Sequence, residues 1–536
     1  MRVLVVGLDG VCFPVLDPMI GGGLLPNIAK LKERSAVAPL ESQLPPWTPS
    51  AWPSLYTGVN PGKHGVYDFL HFDGYDWDLV NRSHVKEHAI WELLSMEGYS
   101  SVVLNVPVTN PPIEFDGVLV PGYMAPESPT CHPNETWEEL NEQLGEYSLY
   151  NVLLDDEATE EERKSDLTKL VEMRGHAFCY LVGKHDPDFG FVQFQQCDTV
   201  FHEFPEDTET IQSVYTSIDE QVGSILDACD PDVTLLVSDH GIGPMEGYEF
   251  RVNNYLRDEG FVTTTIGESG MPAWKELARN PPGTDEVDST NGWTSLQRVI
   301  EGAARVGFTS QRIATVLDRL GLKDLVLRTV PIDLVRSGTE QVDFPSSIAY
   351  MRSRPEMGVR LNVEGREPNG VVSQTNYEEV RTAVIDSLKQ VDTPDGDPVF
   401  SRVCPREEVF EGPYMEDAPD IVTVPNRFDH YLRARIRPNR FAKPFEPWEH
   451  KLEGVVMISG EDIDQQKDIS GAHLFDITPT ILALFDLAIG ERMDGAPIPV
   501  VTKTGKRRYP TFTPDETVMT EDSNVERRLA DLGYLE

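Results

Sequence analysis

The chain is short of positive charge. Its 46 lysines and arginines face 89 aspartates and glutamates over 536 residues, a formal net charge of −43. A nucleic-acid backbone is gripped by clustered Lys and Arg, and an anionic membrane repels such a surface, so neither duplex nucleic acid nor membrane is an expected partner. Cysteine is scarce as well. Cys12, Cys131, Cys179, Cys197, Cys229 and Cys404 form no CxxC pair and no framework spacing, which excludes a disulfide scaffold and predicts reduced, structural thiols. There is no run of about 18 apolar residues, the length that a membrane-spanning helix needs, and no internal repeat or low-complexity block. The first residues, Arg2 to Gly7, read at once as a strand with no charged leader or apolar signal region, so the expected compartment is the cytoplasm.

What remains is an ordinary globular composition, 40% hydrophobic and 25% charged, in a chain long enough for a large core. The acidic residues are spread along the sequence and do not form a tail. That pattern fits a halophile-like surface, soluble in a salty interior where screening removes self-repulsion. Such a surface repels anionic substrates, so a site for phosphate esters needs local cations, which bound metal ions supply.

Apolar runs at 2–7, 101–106, 189–195 and 233–238 predict buried parallel strands. Helical periodicity at 26–34, 87–97 and 208–228 separates them, which predicts an α/β fold: a mostly parallel central sheet sandwiched by helices. Residues 266–345 lack a strong strand and carry amphipathic patterns such as Gln311–Leu320, a mainly helical insertion covering part of a main domain made of 1–265 and 346–500. A polar tail from 501 to 536 closes with a short helix at Val525–Leu532.

Chemistry-bearing residues gather where strands should end. Asp9 follows the first strand, and ligands of open α/β sheets collect beyond such carboxyl ends. The plain alternative for Asp9 is a turn cap. Asp239 and His240 follow Leu235–Ser238 in the same way, and carboxylate plus imidazole suits zinc or manganese. Asp198 and His202, at i, i+4 spacing after the strand 189–195, share one face if that turn is helical; a weak surface pair is the commoner meaning of such spacing. Thr48 precedes Pro49, which predicts an N-cap with proline in the first helical position and a hydroxyl at a helix N-terminus that favours an anion. Simple capping is the alternative there, and Ser50 is the fallback nucleophile. Pro53 should bend or shorten this helix.

Taken with these residues, the chain resembles the alkaline phosphatase superfamily, and most closely its predicted phosphohydrolase/phosphomutase branch; it is similar to nucleotide pyrophosphatase/phosphodiesterases. The motifs that carry the likeness span nearly the whole chain: Gly7-Leu8-Asp9-Gly10, Leu25-Pro26-Asn27, Thr48 to Gly58, Asn60 to Gly65, Asn105-Val106-Pro107, Ser238-Asp239-His240-Gly241, Gly365 to Pro368, Ala418-Pro419-Asp420, Asp476 to Leu482 and Leu532 to Leu535. The resemblance implies two divalent metal ions, zinc with manganese as the other fit. Asp9, Thr48, Asp239 and His240 would hold one, and Asp198, His202 and His450 the other. His473 is a second claimant for the place of His450, and His64 reads as a turn histidine. Lys63, Asn105, Arg360 and Arg366 are candidate contacts for a substrate's anionic groups.

Two departures stand out. Relatives carry proline two residues after the nucleophile, whereas Pro49 follows at once, and the phosphate-holding asparagine of the nucleotide pyrophosphatases is Ala51 here. The implied reaction is hydrolysis of a small phosphorylated substrate, a phosphodiester or phosphomonoester, through in-line attack by the Thr48 oxygen and a phosphothreonine intermediate. The alternatives are a phosphomutase, which returns the phosphoryl group to the substrate, and a non-catalytic metal-stabilised scaffold. A sulfatase needs Cys or Ser with arginine four residues on; Thr48 and Trp52 hold those places.

Overall fold

In the computed structural model the described residues are 1–150, 158–266, 340–513, and 518, 525, 526 and 529. A seven-stranded sheet is their centre, in the order Ala36–Glu41, Glu453–Gly460, Val233–Val237, Val3–Leu8, Phe189–Phe194, Ser101–Leu104 and Gly117–Val120. Only Glu453–Gly460 runs against the other six. All four strands expected from the apolar runs are present and parallel, and Val3–Leu8 lies in the middle. The sheet is buried on both faces, so these strands carry Val, Leu, Ile and Phe at successive positions instead of alternating with polar residues.

Val3 and Val5 face a core with Trp52, Leu55, Phe191, Leu235 and Ile481. Leu4, Val6 and Leu8 face the opposite core, under the helices Pro26–Glu33, Glu160–His185 and Thr208–Cys229. All six cysteines are unbridged, five of them buried. No helix of the described residues is long and apolar enough to cross a membrane.

A second core lies outside this sandwich. Phe250, Leu256, Tyr350, Val359, Leu361, Val384, Leu388, Phe400, Ile421 and Leu432 pack together beneath a four-stranded sheet ordered Ala349–Tyr350, Gly358–Leu361, Ile421–Pro425, Phe400–Pro405. The predicted helical insertion, including Gln311–Leu320, falls almost wholly outside the described residues. Its two flanks pair as antiparallel strands, Thr264–Ile266 with Glu340–Val342. Of the closing helix, Val525, Glu526 and Leu529 are described, with Val525 and Leu529 buried in the first core; the remainder lies outside the described residues.

Candidate metal centre

Register brings the carboxyl ends of three neighbouring strands level. Gly7 is opposite Val237 on one side and Gln193 on the other, so Asp9, Asp239 and the helix that opens after Phe194 emerge at one edge of the sheet. That helix, Gln196–Glu203, is the predicted turn, and it holds Asp198 and His202. His450 comes from the strand Trp448–Lys451, which pairs with Gly241–Pro244 directly after His240. Residues from four distant stretches of chain thereby meet. The ligand-capable atoms of Asp198, His202 and His450 lie within 4.8 Å of one another, and so do those of Asp9, Asp198 and His240. Asp198 is within reach of both groups. Asp239 joins the second through its Oδ2, 3.3 Å from His240 Nε2.

Thr48 sits over the second group. Its hydroxyl donates to Asp9 Oδ1 at 3.3 Å and lies 3.5 Å from His240 Nε2. The expected cap is corrected by one residue: Trp47 is the N-cap, Thr48 the first helical residue and Pro49 the second. A capping hydroxyl would bond backwards to the helix's own amides, whereas this one is turned to Asp9 and His240. The helix runs on through Pro53 to Thr57 and stops at Gly58, whose φ of +74° is left-handed. Ser50, the fallback nucleophile, points away; its hydroxyl donates to Val66 O at 2.8 Å and accepts from Gln43 Nε2 at 2.7 Å.

The chemistry of the donor set shows what fits between these groups. Each histidine is anchored through Nδ1: His240 to Gly241 O at 3.0 Å, His450 to Pro46 O at 3.0 Å, and His202 to Glu446 Oε2 at 2.8 Å. With Nδ1 as the proton-bearing nitrogen, all three Nε2 lone pairs turn toward the carboxylates, an arrangement that outer partners impose on metal-binding imidazoles. With neutral imidazoles, lone pair would face lone pair across 3.3 to 3.6 Å, a conflict that a proton or a bound cation must relieve. Asp198 Oδ1 and Asp239 Oδ2 are buried and accept no hydrogen bond among the described residues. Buried carboxylates without a partner are costly, and a divalent cation is the group that satisfies oxygen and imidazole donors together. The residues present fit two such ions.

Electrostatics agrees. Burial, reinforced by Asp198, raises the Asp9 carboxyl above its ordinary range, and burial with the neighbouring Asp9 charge raises Asp239 well above it. Burial opposes the His240 imidazolium, but Asp239 and Asp9 outweigh it and lift the group to about 10. Burial and the charges of His240 and His202 push His450 well below the usual imidazole value. Carboxylates crowded this way hold protons until a cation replaces them.

Partners that the sequence reading passed over complete the site. Trp52 Nε1 and Gln193 Nε2 donate to Asp9 Oδ2 at 2.9 and 2.8 Å. Trp52 is four residues after Thr48 on the same helical face, and Gln193 is a polar residue in an apolar strand, so both left a signal. Glu446, which orients His202 from 244 residues away, left none. Gly10 has φ +66°, and a Cβ there would meet Asp198 Oδ1 at 2.7 Å, so the turn after Asp9 admits only glycine beside the cluster.

The substrate-contact candidates all have partners within the protein. Lys63 pairs with Asp494 and donates to Arg492 O at 3.1 Å. Asn105 donates to Pro121 O at 2.9 Å and accepts from the Tyr147 hydroxyl at 2.6 Å. Arg360 is buried against Glu367, Glu416 O and Ala418 O, and Arg366 binds Asp420 through both Nη atoms at 2.7 Å. Each side chain is engaged by neighbouring protein groups. His473 likewise caps Leu474–Asp476. His64 is a buried turn residue, its Nε2 2.8 Å from Ser54 Oγ, and burial pushes it down to about 3.

Comparison with known proteins bears on the family and the fold. Residues 3–436 match the family model of type I phosphodiesterase / nucleotide pyrophosphatase. Among solved structures, phosphonoacetate hydrolase from Sinorhizobium meliloti 1021 in complex with phosphonoformate superposes with a TM-score of 0.53 at 16% identity, over 89% of this chain and 94% of that one. Wild-type alkaline phosphatase PafA gives 0.52 at 13% identity, over 93% and 98%. At such identity these two bear on the fold alone, which is that of alkaline phosphatase-like enzymes. Comparison with curated proteins finds no match.

Proposed function

The chain belongs to the type I phosphodiesterase / nucleotide pyrophosphatase family, a family of phosphoester hydrolases, and we propose that it hydrolyses a small phosphate ester with Thr48 as nucleophile at a site for two divalent ions. The observation that carries this reading is the position of the Thr48 hydroxyl, 3.3 Å from Asp9 Oδ1 and 3.5 Å from His240 Nε2, at the N-terminal end of a ten-residue helix. A scaffold has no use for a nucleophile so placed.

Asp198, His202 and His450 would hold one ion, and Asp9, Asp239, His240 and Thr48 the other, zinc or manganese by the donor set. Bound there, the ions supply charge stabilisation for the attacking and leaving oxygens of an in-line displacement. The chain's own residues do the rest. Asp9 Oδ1 accepts the hydroxyl proton and aims the Thr48 oxygen away from its helix. Trp52 and Gln193 fix Asp9 from the other side, so the carboxylate cannot rotate with the proton. The helix N-terminus favours the phosphoryl group that Thr48 takes up. The Thr48 O–P bond forms as the bond to the ester's alcohol oxygen breaks, and the alcohol leaves with a proton. Water then cleaves the phosphothreonine to free Thr48 and release the phosphate product. Thr48 is 2% exposed, which keeps bulk water from the oxygen until a substrate enters.

Thr48→Ala should abolish turnover of a chromogenic phosphate ester and leave divalent-ion binding largely intact. Wild-type activity in that variant would end the proposal. Product analysis in isotopically labelled water separates hydrolysis from phosphoryl return to substrate.

A further inference from the structure

One strap of chain ties the second core to the metal centre. Asn253 holds its start, accepting from Met351 N and donating to Met351 O at 2.8 Å. Arg352 pairs with Glu356 and lies 4.1 Å from the Phe72 ring centroid, and Ser353 donates to Asp68. At the far end Met357 adopts a φ of +49°, left-handed for a residue with a side chain, and such local strain persists only where the surroundings fix it.

Between them Arg354 reaches the catalytic floor. Its guanidinium pairs with Glu449 and lies 4.9 Å from the Trp47 ring centroid and 4.4 Å from that of Tyr431. The Arg354 and Glu449 side chains are 2% and 5% exposed. Both residues that it holds are neighbours of the chemistry. Trp47 precedes Thr48 and packs on the His450 ring, centroids 4.6 Å apart and planes tilted by 45°. Glu449 precedes His450; its Oε1 accepts from the His450 amide at 3.0 Å and stands 3.8 Å from His450 Nε2.

We propose that Arg354 is a positioning residue: by clamping Trp47 and Glu449 it sets the ring of His450 for metal binding and the start of the Thr48 helix for attack. The proposal rests on the reading of the cluster as a metal site. A guanidinium suits the task, because one rigid plane stacks on two aromatic faces while its Nη1 donates to a carboxylate; an ammonium keeps the charge and loses the plane. The pairing also keeps the Glu449 carboxylate off the cluster, since a buried acid deprived of its partner turns to the nearest cation.

The test is competition for Zn²⁺ between the protein and a chromogenic chelator, with kcat and KM on a chromogenic phosphate ester measured in parallel. Wild type should take up two equivalents. Arg354→Met should weaken one equivalent by roughly tenfold or more, the cost of losing an outer partner of a ligand, and lower kcat more than it changes KM. Arg354→Lys should recover part of both. Arg381→Met, which breaks pairs with Glu378 on its own helix Tyr377–Leu388 and with Glu407, should leave Zn²⁺ affinity unchanged. Wild-type affinity for both equivalents in Arg354→Met would overturn the proposal, as would equal values for the Met and Lys variants. If Arg354→Met does not fold, Arg354→Lys and Glu449→Gln decide the matter: each should weaken the same equivalent, and wild-type affinity in both refutes the clamp. A wild-type protein that binds no Zn²⁺ overturns the metal reading itself, and the clamp with it.

Discussion

Replacing Gly7 by alanine asks how tightly the first strand is built around Asp9. Gly7 does not sit in left-handed backbone, so its freedom of φ is not the reason for a glycine; space is. A methyl group there would stand 2.5 Å from Trp52 Cη2, 3.0 Å from Trp52 Cζ3 and 3.2 Å from Phe191 Cε2. Trp52 is fully buried on the helix that opens with Thr48, and its ring centroid lies 6.0 Å from that of Phe191, so the indole is confined. Overpacking of this kind costs about 1–3 kcal/mol. An indole that yields also gives up its 2.9 Å bond to Asp9 Oδ2, and a hydrogen bond to a charged group is worth about 1.5–3 kcal/mol. Together Gly7→Ala should cost about 2.5–6 kcal/mol of stability. In the folded protein it should also slow turnover, because the same carboxylate accepts from Thr48. Denaturant unfolding and ester hydrolysis read the two effects. The decisive comparison is a double-mutant cycle with Trp52→Phe, which removes the two indole atoms nearest the methyl and leaves only the milder 3.2 Å approach to Phe191 Cε2. In that background Gly7→Ala should cost less than about 1 kcal/mol, a coupling larger than distant sites show. Additive costs, or wild-type stability and turnover in the single variant, would refute the reasoning.

Two further outcomes follow from groups around the centre. Glu446→Gln keeps the shape beside His202 and removes the charge from a 2.8 Å contact, so Zn²⁺ affinity measured by chelator competition should fall roughly 10–100-fold, and an unchanged affinity would show that Glu446 does not orient the ligand. Asp68, 1% exposed, is raised by burial, with Glu356 adding to it, to about 7 from the ordinary 3.8. The unfolded chain releases this proton first as pH rises, so the folded state holds more protons between pH 4 and 7, and stability falls across that window by about 4 kcal/mol from this group alone. Asp68→Asn should flatten the stability–pH curve there; an equally steep curve in the variant would assign the slope elsewhere.

How much of this was legible in the sequence depended on whether the signal was local. Strands buried on both faces announce themselves as continuous apolar runs, and the four predicted ones form the parallel heart of the sheet. The i, i+4 spacing of Asp198 and His202 was readable as one helical turn because a helix fixes that geometry by itself. The 26-residue helix Glu160–His185 went unread in spite of its capping box, Thr159 with Glu162. The second core was hidden for a different reason. Its strands are short, Ala349–Tyr350 and Gly358–Leu361 among them, and its members span Phe250 to Ile436, so only tertiary packing defines it.

The three basic substrate-contact candidates, Lys63, Arg360 and Arg366, carry the more general lesson about charge. Sequence offers no way to tell a cation that meets a substrate from one that meets a neighbour, because the difference lies in which carboxylate the fold delivers. Arg366 receives Asp420 from 54 residues away, and Arg360 receives Glu367 and two backbone carbonyls. With 89 acidic residues to 46 basic ones, a buried arginine in this chain meets an acid far more readily than it stays free for a ligand. The same excess makes the candidate metal ligands conspicuous. Asp9, Asp198 and Asp239 are buried, yet among the described residues the ion-pair partners of all three are histidines, never lysine or arginine. Where the fold withholds cations from three buried carboxylates at once, it has left the charge to be supplied from outside.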